Sequence, residues 1–127
     1  MRMCPFCDRI ETEHARWSNE AAVGFPDAYP VSDGHTLVVP RIHASDLFAI
    51  DPSARARLWA LVDEVQQALT AEVQPDGFNI GVNVGAAGGQ TVNHAHVHVI
   101  PRYAGDVGDP RGGIRWVLPE RAAYWDI

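Results

Sequence analysis

The residues best suited to chemistry cluster in "GGQTVNHAHVHVIPRY", residues 88–103, where His94, His96 and His98, three of the six histidines, occupy alternate positions. On an extended strand alternate side chains share a face, so three imidazoles would look one way at steps of roughly 6.5–7 Å. Ala95, Val97 and Val99 would turn the other way, into a core. Such a row can be a solvated surface, a metal site or a nucleophile with helpers. Histidines two apart can share a zinc ion, and three histidines are an established catalytic zinc set. The outer two would lie roughly 13 Å apart on an ideal strand, so one ion spanning all three is strained. As a nucleophile, neutral imidazole is available near neutral pH, because its reference pKa is ~6.5. The middle residue, His96, would attack an electrophile such as phosphorus, while its neighbours orient the ring and handle protons.

A phosphoryl centre also needs donors for its oxygens. The preceding "NVGAAGGQT" offers them through main-chain N–H groups around Gly89, through Asn83 and Gln90, and through the Thr91 hydroxyl. Its glycines let a backbone approach a phosphate closely. By itself "GAAGG" matches neither a P-loop nor a dinucleotide fingerprint. A second chemical group is "CPFC", Cys4 to Cys7, which holds the only two cysteines. The pair reads as half of a zinc site, a redox pair or two separate thiols, and a closed zinc site would need two more ligands.

Elements must hold these groups in place. "ARWSNEAAVGF" reads as two short strands around a turn at Ser18-Asn19, and "PDAYPVSDGH" as a loop. "HTLVVPRI" is a buried strand ending near Pro40. A shorter helix is expected over residues 45–50. Then Asp51 can cap a long helix, with Pro52 in its first turn. Leu58, Leu61, Val62, Val65, Leu69 and Val73 form its apolar stripe, and Pro75-Asp76-Gly77 ends it. "GFNIGVNV" and "HAHVHVIP" are further strands, the second stopped by Pro101. Residues from about 104 to 127 read as an irregular tail packed on the domain or on a dimer partner. About five strands, mainly antiparallel, with helix on one face make an α+β fold.

The whole chain of 127 residues fits a single domain, and 46% hydrophobic with 20% charged residues is a globular balance. A net charge of −6 argues against a nucleic acid polymer as partner, since such binding needs a basic face. A small phosphate-bearing ligand needs only a few local donors. No apolar run approaches the ~18–20 residues that span a bilayer, and "MRMCPFCDRI" lacks the apolar core of a signal peptide. A cytoplasmic protein without membrane attachment is the expectation.

"HAHVHVI", residues 94–100, fits His-φ-His-φ-His-φ-φ, with φ apolar. On that motif, on "DGHTLVVPRIH" and on "NVGAAGGQTVNHAHVHVIPR", the chain resembles the histidine-triad (HIT) family over residues 4–103. The resemblance implies the α+β HIT fold, usually a homodimer, and a nucleotidyl hydrolase or transferase without an organic cofactor. His96 would be the nucleophile that forms a covalent nucleotidyl-histidine. His98 would contact the α-phosphate, and the ring of His94 would hydrogen-bond toward the nucleophile. His35 would be the fourth histidine of the site, Asp27 would hold the ribose, Asn83 and Gln90 would lie near phosphates and leaving group, and Phe6 and Phe25 would line a purine pocket. Some family members with the N-terminal cysteine pair bind a structural zinc, which here implies Cys4, Cys7, His43 and His94 as ligands. The tail resembles those of bacterial relatives of the fragile-histidine-triad branch, which cleave dinucleoside polyphosphates. Arg102, Arg111 and Arg115 could reach polyphosphate there, with Trp116, Tyr124 or Trp125 on a second base, or the same aromatics could pack the tail down. An adenosine phosphoramidase, or a nucleotide-binding module with little turnover, is the alternative.

Overall fold

The structure, a computed structural model, describes residues 4–12 and 15–126; residues 1–3, 13–14 and 127 of the expected 1–127 domain lie outside these. The elements run α1 (Pro5–Thr12), β1 (Trp17–Ser18), β2 (Ala22–Pro26), β3 (Thr36–Pro40), α2 (Pro52–Val73), β4 (Gly77–Val82), β5 (Val97–Arg102) and α3 (Pro119–Ala122). The five strands form one sheet in the order β1-β2-β3-β5-β4, and every neighbouring pair is antiparallel. β5, which carries His98, therefore lies between β3 and β4.

The pleat gives this sheet two different faces. Val38, Val97 and Val99 point to one side with Ala22, and there they meet Leu58, Leu61, Val62, Val65 and Leu69 of α2. Each fully buried aliphatic side chain contributes about 1.5–3 kcal/mol, so this stripe anchors the helix. Gly24 makes the approach close, because a Cβ there would stand 3.4 Å from both Trp17 and Val65. α2 starts where expected: the Asp51 carboxylate accepts from the Ser53 and Ala54 N–H groups, with Pro52 in the first turn. It ends at Gln74, in the left-handed region at φ 49°, before Pro75. The opposite face buries Phe6, Val23, Phe25, Leu37 and Val39, and it carries His98.

Local differences from the sequence reading bear on the site. First, the cysteine pair sits at the start of a helix, α1, that was not expected. Its signal is short, a Pro at the first turn and Phe6 as its buried anchor, and eight residues give little periodicity to read. The shorter helix expected over 45–50 is a single 3-10 turn, Leu47–Ala49, capped by Asp46. Second, β5 begins only at Val97, because the Ala95 N–H goes to the Ala44 carbonyl, 2.7 Å away, and not to a ladder. Third, β5 continues through Pro101, which pairs with Phe78. Pairing with β3 stops at Val99, so a residue without an N–H is tolerated there. The tail is a string of short turns closed on itself and laid against β4, where a Cβ on Gly81 would meet Ile114 at 3.6 Å.

Candidate functional site

The His96 ring is fixed by main chain. Its Nδ1 lies 2.8 Å from the His94 carbonyl oxygen, which can only accept, so Nδ1 carries the proton. The Nε2 lone pair is left free, the atom a nucleophile needs. Phe6 holds the ring edge-on, with centroids 4.9 Å apart. The side chain is buried, with 5% exposure.

His98 is set by a chain of donors that begins outside the histidine row. The Val31 N–H donates to His35 Nδ1 at 3.1 Å. That nitrogen is therefore an acceptor, and the proton of neutral His35 must sit on Nε2. His35 Nε2 lies 3.0 Å from His98 Nδ1 and donates to it. By the same reasoning His98 carries its proton on Nε2, a donor beside His96; the two rings have centroids 5.1 Å apart. Both rings are neutral at pH 7. Burial pushes the His35 pKa down against the pull of Asp27. Burial, and then repulsion from His96 and His35, pushes the His98 pKa down, again opposed by Asp27. The Asp27 carboxylate accepts from the Tyr29 N–H at 2.8 Å through one oxygen. Its other oxygen stands 3.4 Å from His35 Nε2 and 3.9 Å from His98 Nδ1. These three groups could be taken for metal ligands by proximity. With His35 Nδ1 accepting from Val31, an ion on Nε2 would have to displace the only proton of the ring, and this disfavours a metal there.

The His94 ring faces the other way. Its Nε2 donates to the Pro40 carbonyl at 2.9 Å, so Nδ1 holds the lone pair. Burial pushes its pKa down and keeps the ring neutral. Three groups converge on that single lone pair: Cys4 Sγ at 3.4 Å, Cys7 Sγ at 3.5 Å and His43 Nδ1 at 3.2 Å. Cys7 Sγ also stands 3.3 Å from His43 Nδ1. One lone pair cannot accept three hydrogen bonds, but four donors can share one cation. A tetrahedral zinc with its usual bonds to sulfur and nitrogen sets ligand atoms roughly 3.4–3.6 Å apart, close to these distances. Cys4, Cys7, His43 and His94 thus fit the ion that the sequence resemblance implied.

The HIT domain family description matches residues 11–105. The chain belongs to the HIT family. An uncharacterised HIT-like protein of Mycoplasma genitalium is 39% identical over 103 residues, 79% of this chain and 73% of that protein. The adenylylsulfatase HINT3 of Arabidopsis thaliana is 34% identical over 102 residues, 78% of this chain and 52% of the relative. The AP-4-A phosphorylase of Mycobacterium tuberculosis is 39% identical over 79 residues, 61% of this chain and 40% of the relative. Among solved structures, a zinc-bound histidine triad family protein from Mycobacterium smegmatis superposes with a TM-score of 0.74 at 35% identity, covering 82% of this chain and 78% of that one.

In this HIT protein the triad is divided between two centres. The His94 ring does not reach toward His96, as the resemblance implied; its carbonyl does, while the ring turns to the cysteines. Gln90 spends its amide inside the loop, accepting from the Gly85 N–H and donating to the Ser45 and Val92 carbonyls. It braces the glycine loop, whose Gly85 and Gly89 take φ of 77° and 92°, open to glycine without strain. Asn83 lies beside Gly89, half-buried, and Thr91 is exposed. Phe25 is fully buried and packs on Phe6 with centroids 6.0 Å apart, so it backs the site from within the core. The tail arginines are already engaged. Arg102 binds Asp106 and Asn79, Arg111 binds Asp109, and Arg115 donates to the Ala122 and Arg121 carbonyls. Trp116 and Trp125 meet edge-on within the tail, while Trp116 and Tyr124 remain exposed. The contributions that sequence reasoning missed are main-chain ones, the Val31 N–H and the Pro40 and His94 carbonyls. A side-chain motif gives no signal for them.

Proposed function

We propose that this HIT protein is a nucleotidyl hydrolase that cleaves a nucleoside 5′-phosphate from its leaving group, with a diadenosine polyphosphate as the preferred substrate. The observation that carries the reading is the pairing of opposite tautomers. His96 presents a bare Nε2 and His98 a protonated one, on rings whose centroids stand 5.1 Å apart. His96 Nε2 attacks the α-phosphorus, a P–N bond forms, and the bond to the leaving-group oxygen breaks. The His98 Nε2–H supports the phosphoryl oxygens, whose charge grows in the transition state. Water then attacks the same phosphorus, the P–N bond breaks, and His96 returns to its starting form. Asn83 and the Thr91 hydroxyl bind the remaining phosphate oxygens, since the Gly85, Gly88, Gly89 and Gln90 N–H groups are spent within the loop, and Asp27 takes the ribose hydroxyls. The names of the relatives, an adenylylsulfatase and an AP-4-A phosphorylase, support adenylyl substrates with different leaving groups.

Zinc at Cys4, Cys7, His43 and His94 belongs to the same reading. When bound it supplies a charged cross-link between α1 and the catalytic segment, not the nucleophile. The protein acts as a cytoplasmic homodimer in this proposal. β4 is an edge strand, and beside it Phe78, Ile80 and the exposed Trp59 offer apolar surface on the helix face. Among the described residues no helix is long and apolar enough to cross a membrane.

The test is a panel of diadenosine tri- and tetraphosphate, adenosine phosphoramidate and adenylyl sulfate, run on the wild type and on His96→Ala. The expected result is turnover of a diadenosine polyphosphate, a nucleotide trapped on His96 after acid quench, and loss of both in the variant. Fastest turnover of the phosphoramidate would move the protein to the alternative branch. Tight binding of nucleotide without product would make it a binding module.

A further inference from the structure

His96 sits outside the sheet that its alternation with Val97 and His98 suggests. Strand pairing of β5 starts at Val97 on both sides, so His94, Ala95 and His96 have no ladder partners. What holds this segment is a short set of other bonds. His94 Nε2 donates to Pro40, the Ala95 N–H to Ala44, and the His94 Nδ1 faces Cys4, Cys7 and His43. Each of the two groups that fix the His96 ring is tied to that cluster. The carbonyl that receives the Nδ1 proton belongs to His94, itself a ligand. The aromatic ring against His96 belongs to Phe6, which lies between the two cysteine ligands at the start of α1. Through His43 and Cys7 the cluster also joins α1 to the segment that carries Ala44.

The cluster is open to solvent on one side. A cavity of about 700 Å³ is lined by Cys4, Pro5, Cys7, His43, Thr91 and Asn93. His43 is exposed and Cys4 half-buried. An ion bound there can exchange without the core being opened, unlike one sealed in a closed structural site.

We infer that metal occupancy of Cys4, Cys7, His43 and His94 positions the nucleophile, acting on His96 from both sides through the His94 carbonyl and the Phe6 ring. This rests on the reading of His96 as nucleophile given above. The four ligands are positioning residues and touch no substrate. Without the ion, α1 and the His94 ring lose their common anchor, and the His96 Nδ1–H leaves its acceptor for part of the time. Substrate binding, which uses Asn83, Thr91 and Asp27, stays in place. The signature is a fall in kcat with KM nearly unchanged, because the reactive geometry is disturbed and the binding surface is not.

The test uses the whole protein, stripped with a chelator and then reloaded with zinc ion alone, beside His43→Ala. Imidazole nitrogen NMR reads the His96 tautomer and the protection of its Nδ1–H without any substrate. Expected on stripping are a mixed His96 tautomer, a kcat lower by about 10- to 100-fold, a KM within about threefold, and recovery of all three on adding zinc. His43→Ala should behave as the stripped protein does at sub-stoichiometric zinc. A His96 signal that is the same with and without zinc overturns the inference, and so does a protein that unfolds when the ion is removed, since the role is then structural. If zinc moves the His96 signal but no nucleotide ever forms on His96, the coupling stands and the proposed function fails.

Discussion

His35 makes two bonds with its two ring nitrogens, and they can be broken one at a time. Nδ1 accepts from the Val31 N–H at 3.1 Å, and Nε2 donates to His98 Nδ1 at 3.0 Å. In His35→Asn the amide oxygen reaches the place of Nδ1, so the Val31 bond survives and the donor to His98 is lost. In His35→Gln the longer amide reaches the place of Nε2, so the donor survives and Val31 loses its acceptor. The consequence for His98 follows from Asp27, whose carboxylate stands 3.9 Å from His98 Nδ1. Without the His35 donor, His98 moves its proton to Nδ1 to face that carboxylate, and Nε2 becomes an acceptor that repels phosphoryl oxygen. One hydrogen bond to a charged transition state, about 1.5–3 kcal/mol, is then missing, a loss of roughly 10- to 150-fold in the nucleotidylation rate. His35→Asn should show that loss with stability close to wild type. His35→Gln should stay within several-fold of the wild-type rate and lose about 1 kcal/mol of stability for the unpaired N–H. Quenched-flow measurement of nucleotide bound to His96, with urea unfolding of both variants, separates the two. Equal rate losses in the two variants, or a His35→Asn rate within about twofold of wild type, would refute the tautomer chain.

The lowered pKa values of His35 and His98 make stability depend on pH. The unfolded chain takes up protons at these rings near their ordinary value of 6.5, and the folded protein only at lower pH. Stability is therefore fully present above that value and is lost as pH falls below it toward the folded values, which urea midpoints at about pH 7.5 and about pH 5 will show. Gly24→Val puts branched carbon where Val65 and Trp17 already stand at 3.4 Å from a Cβ, so α2 must lift; the expected result is a loss beyond about 1–3 kcal/mol or insoluble protein. Leu61→Ala, at a site with 0% exposure, should cost about 2–5 kcal/mol in urea unfolding and leave the nucleotidylation rate unchanged. The proposed homodimer predicts that Ile80→Lys on the edge strand shifts sedimentation from dimer to monomer, with circular dichroism checking the fold because Ile80 also packs against the core; a wild type that sediments as a monomer would refute the dimer.

Much of the architecture could be read from the chain, because its strongest signals are periodic and local. The stripe from Leu58 to Val73, the Asp51 cap and the Pro75 break define α2 before any coordinates. The continuous buried run in "TLVVP" and the alternation in "HVI" define the centre of the sheet. α1 escaped, since two turns with one buried aromatic carry no period. The start of β5 escaped as well, because "HAHVHVI" alternates without a break while the hydrogen bonding changes at Val97. Sequence records side-chain faces, and it does not record where a main-chain N–H finds its acceptor.

That distinction also decides how far the site could be read. The residue types at His35, His94, His96 and His98 gave the chemistry, and their shared face suggested one catalytic row. In the fold each ring takes its tautomer from a group outside the row or from main chain: Pro40 O for His94, His94 O for His96, Val31 N–H through His35 for His98. Three identical side chains thereby take three different proton arrangements, which the proposed function reads as a metal ligand, a nucleophile and a proton donor. Because these partners are main-chain groups, a substitution that keeps the motif can still scramble the roles. Val31→Pro, which removes one N–H and leaves every histidine in place, should free the His35 and His98 tautomers and lower nucleotidylation, with the His96 Nδ1–H unaffected. A retained rate in that variant would mean that Asp27, and not the Val31 bond, sets the order of protons in the site.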